Sequence, residues 1–225
     1  MKKLAARFPG IPFIAPFAVF IVALGLKGVV PLGAKWEYPI QVLLVLAIWL
    51  LTSRQVITPR PSSLAASIGI GVVVFAVWIG PDLIWPSYRR HWLFENSLTG
   101  VAQSSLPAVL RSDTLFLIFR SFGAVVLVPI IEELFWRGWL MRYLVNTDFL
   151  KVPLGTYTSM SYCSTAVLFA TEHGPFWDVG LLAGLIYKWW ALRTRNLSDC
   201  IIAHAVTNAS LTLFVILDGR WEYWL

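Results

Sequence analysis

Seven apolar runs separated by short polar segments decide what this sequence can become. They cover residues 11–30, 41–51, 64–84, 114–143, 160–173, 179–192 and 200–217, and the second is short unless it begins near Trp36. A bilayer core about 30 Å thick asks for roughly 20 apolar residues per helical crossing. Inside that core every backbone N–H and C=O has to be satisfied by the protein itself, which leaves the helix as the form such runs take. The expected fold is all-α, a polytopic transmembrane helix bundle of about seven or eight membrane helices in an integral, multi-pass protein. Composition agrees, at 58% hydrophobic and 13% charged residues, against roughly 45–50% apolar in soluble domains. A soluble all-α enzyme with a large core is the alternative, and the repetition of the runs argues against it.

The net charge of +6 gives no reason to expect nucleic acid as a partner. The lysines and arginines sit at the ends of apolar runs, where lipid headgroups and the positive-inside rule place them. With seven crossings, Lys2, Lys3, Arg7, Arg54, Arg60, Arg142, Lys151, Arg193 and Arg195 fall on one side; Lys35, Arg89, Arg90, Arg111 and Arg220 fall on the other. That bias sets the N-terminus in the cytoplasm, and the Met1-Lys2-Lys3 opening has the style of a bacterial inner-membrane protein. A cleaved signal peptide is the competing reading; the first run is long for one, and no small-residue cleavage site follows it. Residues 86–113 form the longest less-hydrophobic stretch, read as an interfacial helix and loop, although an eighth crossing there would change the arrangement. Cys163 and Cys200 cannot make a disulfide framework, and Cys200, with no adjacent activating cation, reads as a packing residue. The chain divides into N-terminal helices with an interfacial segment (1–113), a helical core (114–217) and an interfacial tail (218–225), whose Trp221, Tyr223 and Trp224 suit the headgroup belt.

Three places break the apolar pattern. In Val128-Pro129-Ile130-Ile131-Glu132-Glu133-Leu134-Phe135-Trp136-Arg137, three ionisable groups sit inside a run, where each costs about 2.5–3.5 kcal/mol at the bilayer centre. Glu133 and Arg137 are four apart and can pair on one helix face. Glu132 is rotated about 100° away with no cation at the matching offset, and is the carboxylate left free for chemistry. The second place is Glu172-His173, just before the Gly174-Pro175 stop signal. Alone, His173 would be a histidine capping or snorkelling from a helix end, and Glu172 a residue that orients the His173 ring or, as the blander alternative, meets headgroups. The third is His204 and Asn208, which project from one helix face in a row continued by Cys200 and Thr212. Alone, that pair would be hydrogen-bonded glue between helices. Taken with the Glu-Glu-x-x-x-Arg element, these groups form a set that glue explains poorly. Gly180 and Gly184 add a small-xxx-small pair compatible with close packing nearby.

The order Glu132-Glu133-x-x-x-Arg137, Phe169-x-x-x-His173, His204-x-x-x-Asn208 resembles the signature of the CAAX-protease and bacteriocin-processing family. This is the CPBP or Abi group, whose type member is the Rce1-like prenyl protease of the endoplasmic reticulum. The likeness spans about residues 115–217, and the first three runs match nothing in it. On size and motif spelling, the chain also resembles bacterial CAAX-protease-related proteins associated with exosortase and PEP-CTERM systems. The resemblance implies polar residues converging on a cavity within the membrane and a metal-independent glutamate endopeptidase without a cofactor. Its partners would be membrane lipid and a membrane-associated or lipid-modified peptide, in the type members a prenylated CAAX tail. It implies Glu132 as the base on water, His173 as the residue that positions or polarises that water, and His204 and Asn208 as donors to the oxyanion. Arg137 would neutralise Glu133.

A zinc version is the alternative within the same activity, because Glu132, His173 and His204 are ligand types for that ion, although the sequence has no His-Glu-x-x-His spacing. Two other classes compete. Intramembrane Glu, His and Arg also mark proton- or ion-coupled transporters, but no inverted repeat is present to support one. A catalytically silent member acting as an immunity or scaffold protein would not need the intact quartet.

Overall fold

A computed structural model describes residues 7–29, 32–57 and 60–224. Lys2, Lys3 and the end of the first run at Val30 lie outside the described residues. Helices form over α1 (Ile11–Gly25), α2 (Ala34–Thr52), α3 (Leu64–Ile84), α4 (Thr114–Tyr143), α5 (Ser159–Thr171), α6 (Trp177–Thr194) and α7 (Leu197–Asp218). Each apolar run thus contains a helix, the first of them ending at Gly25, and among the described residues there is no strand, only an isolated bridge between Asn96 and Gly100.

The crossing count differs from expectation. Four helices, α2, α3, α4 and α7, are long and apolar enough to span a membrane. Helix α1 has 15 residues and α5 has 13, short of the roughly 20 a crossing needs. Helix α6 has 18 residues but carries Asp178, Lys188 and Arg193. Residues 86–113 hold only short 3-10 turns at Tyr88–Arg90 and Ala108–Ser112, so no eighth spanning helix lies there. Exposed Leu43, Leu44, Ile68, Val72, Val73, Leu213 and Leu217 on the spanning helices give the outer surface its apolar, lipid-facing character.

Local chemistry explains the ends. Asp113 caps α4, its Oδ1 accepting from the Phe116 N–H at 3.0 Å, while Lys35 pairs with its other oxygen at 2.7 Å and ties the start of α2 to that of α4. The hydrogen bond from Lys35, then that from the Phe116 backbone, hold the Asp113 carboxyl below the usual range. Helix α4 is one run with two widened, π-type turns at Gly123–Leu127 and Leu134–Leu140. Pro129 accounts for the first: its ring cannot donate and crowds the carbonyl four residues back, so the preceding turn opens.

The central packing joins α3 to α7. A Cβ at Gly71 would stand 2.5 Å from the Ala203 carbonyl oxygen, so only glycine allows the approach, and Thr207 Oγ1 donates to the Gly71 carbonyl at 2.8 Å. Buried Asp199 fastens the start of α7 by accepting from the Ser62 and Ser63 N–H groups and from the Ser62 and Ser67 hydroxyls. A buried ionic cluster forms around Arg89, one of the cations expected at the end of an apolar run. It pairs with Asp82 at 3.0 Å and with Asp178 and donates to the Pro175 carbonyl. Tyr223 donates to Asp82 and Tyr88 to Asp178. The cluster holds the 86–94 segment and the C-terminal tail against α3 and α6, so the aromatic tail is packed into the bundle, with Tyr223 and Trp224 buried.

Candidate active site

A cavity of about 520 Å³ opens among all seven helices, α1 to α7. Its wall includes Glu132 from α4, Glu172 and His173 from the turn after α5, and His204 and Asn208 from α7. The four residues expected to share one hollow all line it. Glu133 and Arg137 stand behind the wall, fully buried.

Glu132 is 8% exposed, and its Oε2 has no hydrogen-bond partner among the described residues. Buried polar atoms are almost always satisfied, so a carboxylate oxygen left bare in a cavity is placed to receive something. The neighbouring carboxylate stands behind the wall, with Oε1 bonded and its own Oε2 also without a partner among the described residues. Glu133 Oε1 accepts from Arg137 Nη1 at 3.0 Å, as the four-residue spacing predicted, and also meets His204 Nδ1 at 3.0 Å, which sequence spacing could not show. The Arg137 guanidinium lies over the Phe169 ring at 4.9 Å and the Tyr187 ring at 5.5 Å.

These contacts assign the histidine tautomers. His173 Nδ1 lies 2.8 Å from the Phe169 carbonyl oxygen, which can only accept, so the proton is on Nδ1 and the neutral ring keeps its lone pair on Nε2. His204 Nδ1 faces an arginine-paired carboxylate, and the same logic puts its proton there. Neutral His204 would then be an acceptor at Nε2, and it gains a second donor only as an imidazolium. Both rings are held by aromatic neighbours: His173 by Trp78, centroids 5.1 Å apart, and His204 by Tyr187, stacked at 5.0 Å. Tyr187 is fixed by its own bond to Thr207 at 2.7 Å.

Asn208 donates from Nδ2 to the Ala124 carbonyl at 2.8 Å. Ala124 lies in the first widened turn of α4, so that turn sets the orientation of the amide, and one N–H of the amide remains for another acceptor. Widened turns of this kind recur at functional sites. The Gly180–Gly184 pair has a specific use. A Cβ at Gly180 would meet His173 Cγ and Nδ1 at 3.1 Å, and one at Gly184 would meet Phe169 at 3.1 Å. Gly180→Ala is therefore expected to displace the His173 ring and lower turnover roughly tenfold, on the scale by which small misplacements cost rate, with little change in unfolding temperature. Unchanged turnover in purified G180A would remove Gly180 from any part in placing His173.

Other expectations shift. Glu172 faces the cavity rim rather than headgroups alone, and it is exposed there. The α7 row divides: Thr212 lines the cavity, whereas Cys200 is fully buried against the Tyr187 carbonyl, as a packing residue. Tyr187 and Trp78 support the histidines without having stood out in the sequence, where each is one aromatic in an apolar helix. Among the described residues no group of three or more His, Cys, Asp and Glu side chains is placed to hold a metal ion.

Comparison with known proteins bears on the same region. Residues 114–210 match the family model for type II CAAX prenyl endopeptidases, Rce1-like. No curated protein and no solved structure matches the chain. The match covers the three stretches that deliver Glu132, His173, His204 and Asn208 to the cavity. Four helices long and apolar enough to span a bilayer fit an integral membrane protein, and its residues 114–210 are similar to an Rce1-like type II CAAX prenyl endopeptidase domain.

Proposed function

We propose that the domain hydrolyses a peptide bond near the C-terminal end of a membrane-associated or lipid-modified substrate, by a water that Glu132 activates without a metal. The observation that carries this reading is the convergence of Glu132, His173, His204 and Asn208 on one cavity, with Glu132 Oε2 unbonded. His173 Nε2 accepts one hydrogen of the water and orients it. Glu132 takes the other as the oxygen adds to the scissile carbonyl. The oxyanion that forms receives the free Asn208 N–H and the Nε2–H of His204 as imidazolium, a charge that the Glu133 carboxylate supports. Collapse of the tetrahedral intermediate breaks the C–N bond, and the proton on Glu132 passes to the leaving amine. Residues 114–217 act as the catalytic core. Phe17, Tyr38 and Trp78, from the helices before it, complete the cavity wall.

The test is cleavage of a peptide carrying a farnesylated cysteine followed by Val-Ile-Ala, followed by mass spectrometry, with purified protein before and after exhaustive chelation. Equal cleavage in both is expected. Loss on chelation with recovery on added zinc would replace the metal-free reading by one in which Glu132, His173 and His204 rearrange around zinc.

A further inference from the structure

The face of α4 that carries Glu132 carries a second charge in the same cavity. Arg120, Ala124, Val128 and Glu132 recur every four residues, and all four line the wall. The cavity therefore follows α4 from a cation, past one small and one branched apolar residue, to the acidic centre. The Arg120 guanidinium lies over the Tyr38 ring at 4.7 Å and the Trp224 ring at 5.3 Å. Aromatic contacts of this kind engage the faces of the planar ion and leave its N–H edge. Among the described residues the Arg120 side chain has no hydrogen bond and no carboxylate in ion-pair range. Lys27 lines the same end of the cavity, also without an ion-pair partner among the described residues. Two cations thus share one end of a largely apolar hollow with no anion between them.

We infer that Arg120, with Lys27 beside it, binds the C-terminal carboxylate of the peptide that Glu132 cleaves, and that the cavity between them takes a short apolar C-terminal segment. This rests on the endopeptidase reading above for the position of the cleaved bond, but the carboxylate site itself does not. Arginine presents a rigid fork of donors that matches a carboxylate. The Glu132 carboxylate repels a second one, which directs the terminus to the far end. The spacing agrees. From residue 120 to residue 132 a helix advances about 18 Å at 1.5 Å per residue. Three extended residues span about 10–11 Å, and the arginine side chain and the attacking water occupy the remainder. Ala124 and Val128 offer no side-chain hydrogen-bonding group, so the residues in between are apolar.

The experiment compares the farnesylated peptide ending in Val-Ile-Ala as a free acid and as a C-terminal amide. Binding is measured to Glu132→Gln protein in phosphatidylcholine nanodiscs, and cleavage is measured with the wild type. The acid is expected to bind about tenfold tighter or more, on the scale of a charged hydrogen-bonded pair. Adding Arg120→Gln should erase that preference by weakening the acid alone, Arg120→Lys should restore part of it, and Lys27→Gln should reduce it less. Retained amide binding shows that each variant is folded. Equal affinity for acid and amide, a parallel loss of both in Arg120→Gln, or no binding of either peptide would overturn the proposal. So would loss of the acid preference when phosphatidylglycerol replaces phosphatidylcholine, which would make a lipid phosphate the occupant. Should the Arg120-dependent preference appear while neither peptide is cleaved by wild type, the carboxylate site stands and the endopeptidase reading falls.

Discussion

Glu132→Gln is expected to lower the cleavage rate of the farnesylated peptide about a thousandfold, the middle of the range for removing a general base, with KM nearly unchanged. The substitution keeps the shape of the side chain and its contact with the cavity but cannot accept a proton. Because Glu132 Oε2 has no partner among the described residues, the substitution breaks no hydrogen bond at that atom, and the unfolding temperature should hold or rise. That pairing of results separates chemistry from structure: a base is lost and the scaffold is not. Cleavage by E132Q at the wild-type rate would end the assignment of Glu132 as the base, whatever else the cavity does.

The largest stability effect belongs to Arg137. Arg137→Met is expected to cost about 3–5 kcal/mol, the usual consequence of stranding a buried charge, since Glu133 is 0% exposed and loses its only full cation. The measurement is thermal or denaturant unfolding in detergent. The paired change Glu133→Gln/Arg137→Met should recover much of the loss, because it removes the stranded carboxylate along with its partner. Single and double variants of equal stability would mean that the pair contributes nothing and that Arg137 acts through its stacking on Phe169 and Tyr187 instead. Activity should not return with stability in the double variant, because His204 then meets a neutral amide where it had a carboxylate.

Much of this was legible along the chain because helical neighbours are also close in sequence. Helix α4 occupies the residues expected of it, bounded by a capping aspartate and the polar turn after Tyr143, and the Glu133–Arg137 pair follows from a four-residue offset. The start of α6 and of α7 lies two or three residues earlier than the apolar pattern suggested, because Trp177, Asp178, Leu197, Ser198 and Asp199 belong to helices whose first turns are polar or aromatic. Contacts between distant segments left no such trace. The bond from His204 to Glu133 joins residues 71 apart, and Arg89 reaches Asp178 across 89 positions. Spacing cannot report either, so His204 looked like a simple donor and Arg89 like a cation at the end of an apolar run. Gly180 stood between: its small size was visible, but its reason, the ring of His173 pressed against it, required the fold. Of the seven apolar runs, four become helices long and apolar enough to span, because helicity and apolarity do not imply length: α1 has 15 residues and α5 has 13.

Helix α4 runs for 30 residues without a break, about 45 Å at the usual rise, while hydrocarbon measures about 30 Å. A rod half as long again as the layer it crosses leans, or stands proud of it at one end or both. In thinner or thicker lipid its inclination changes, and with it the depth at which Glu132 and Arg120 meet the acyl chains. Their separation does not change, since both ride on the same rod. Acyl-chain length accordingly governs how far a substrate must dip, and leaves alone the place where it is measured.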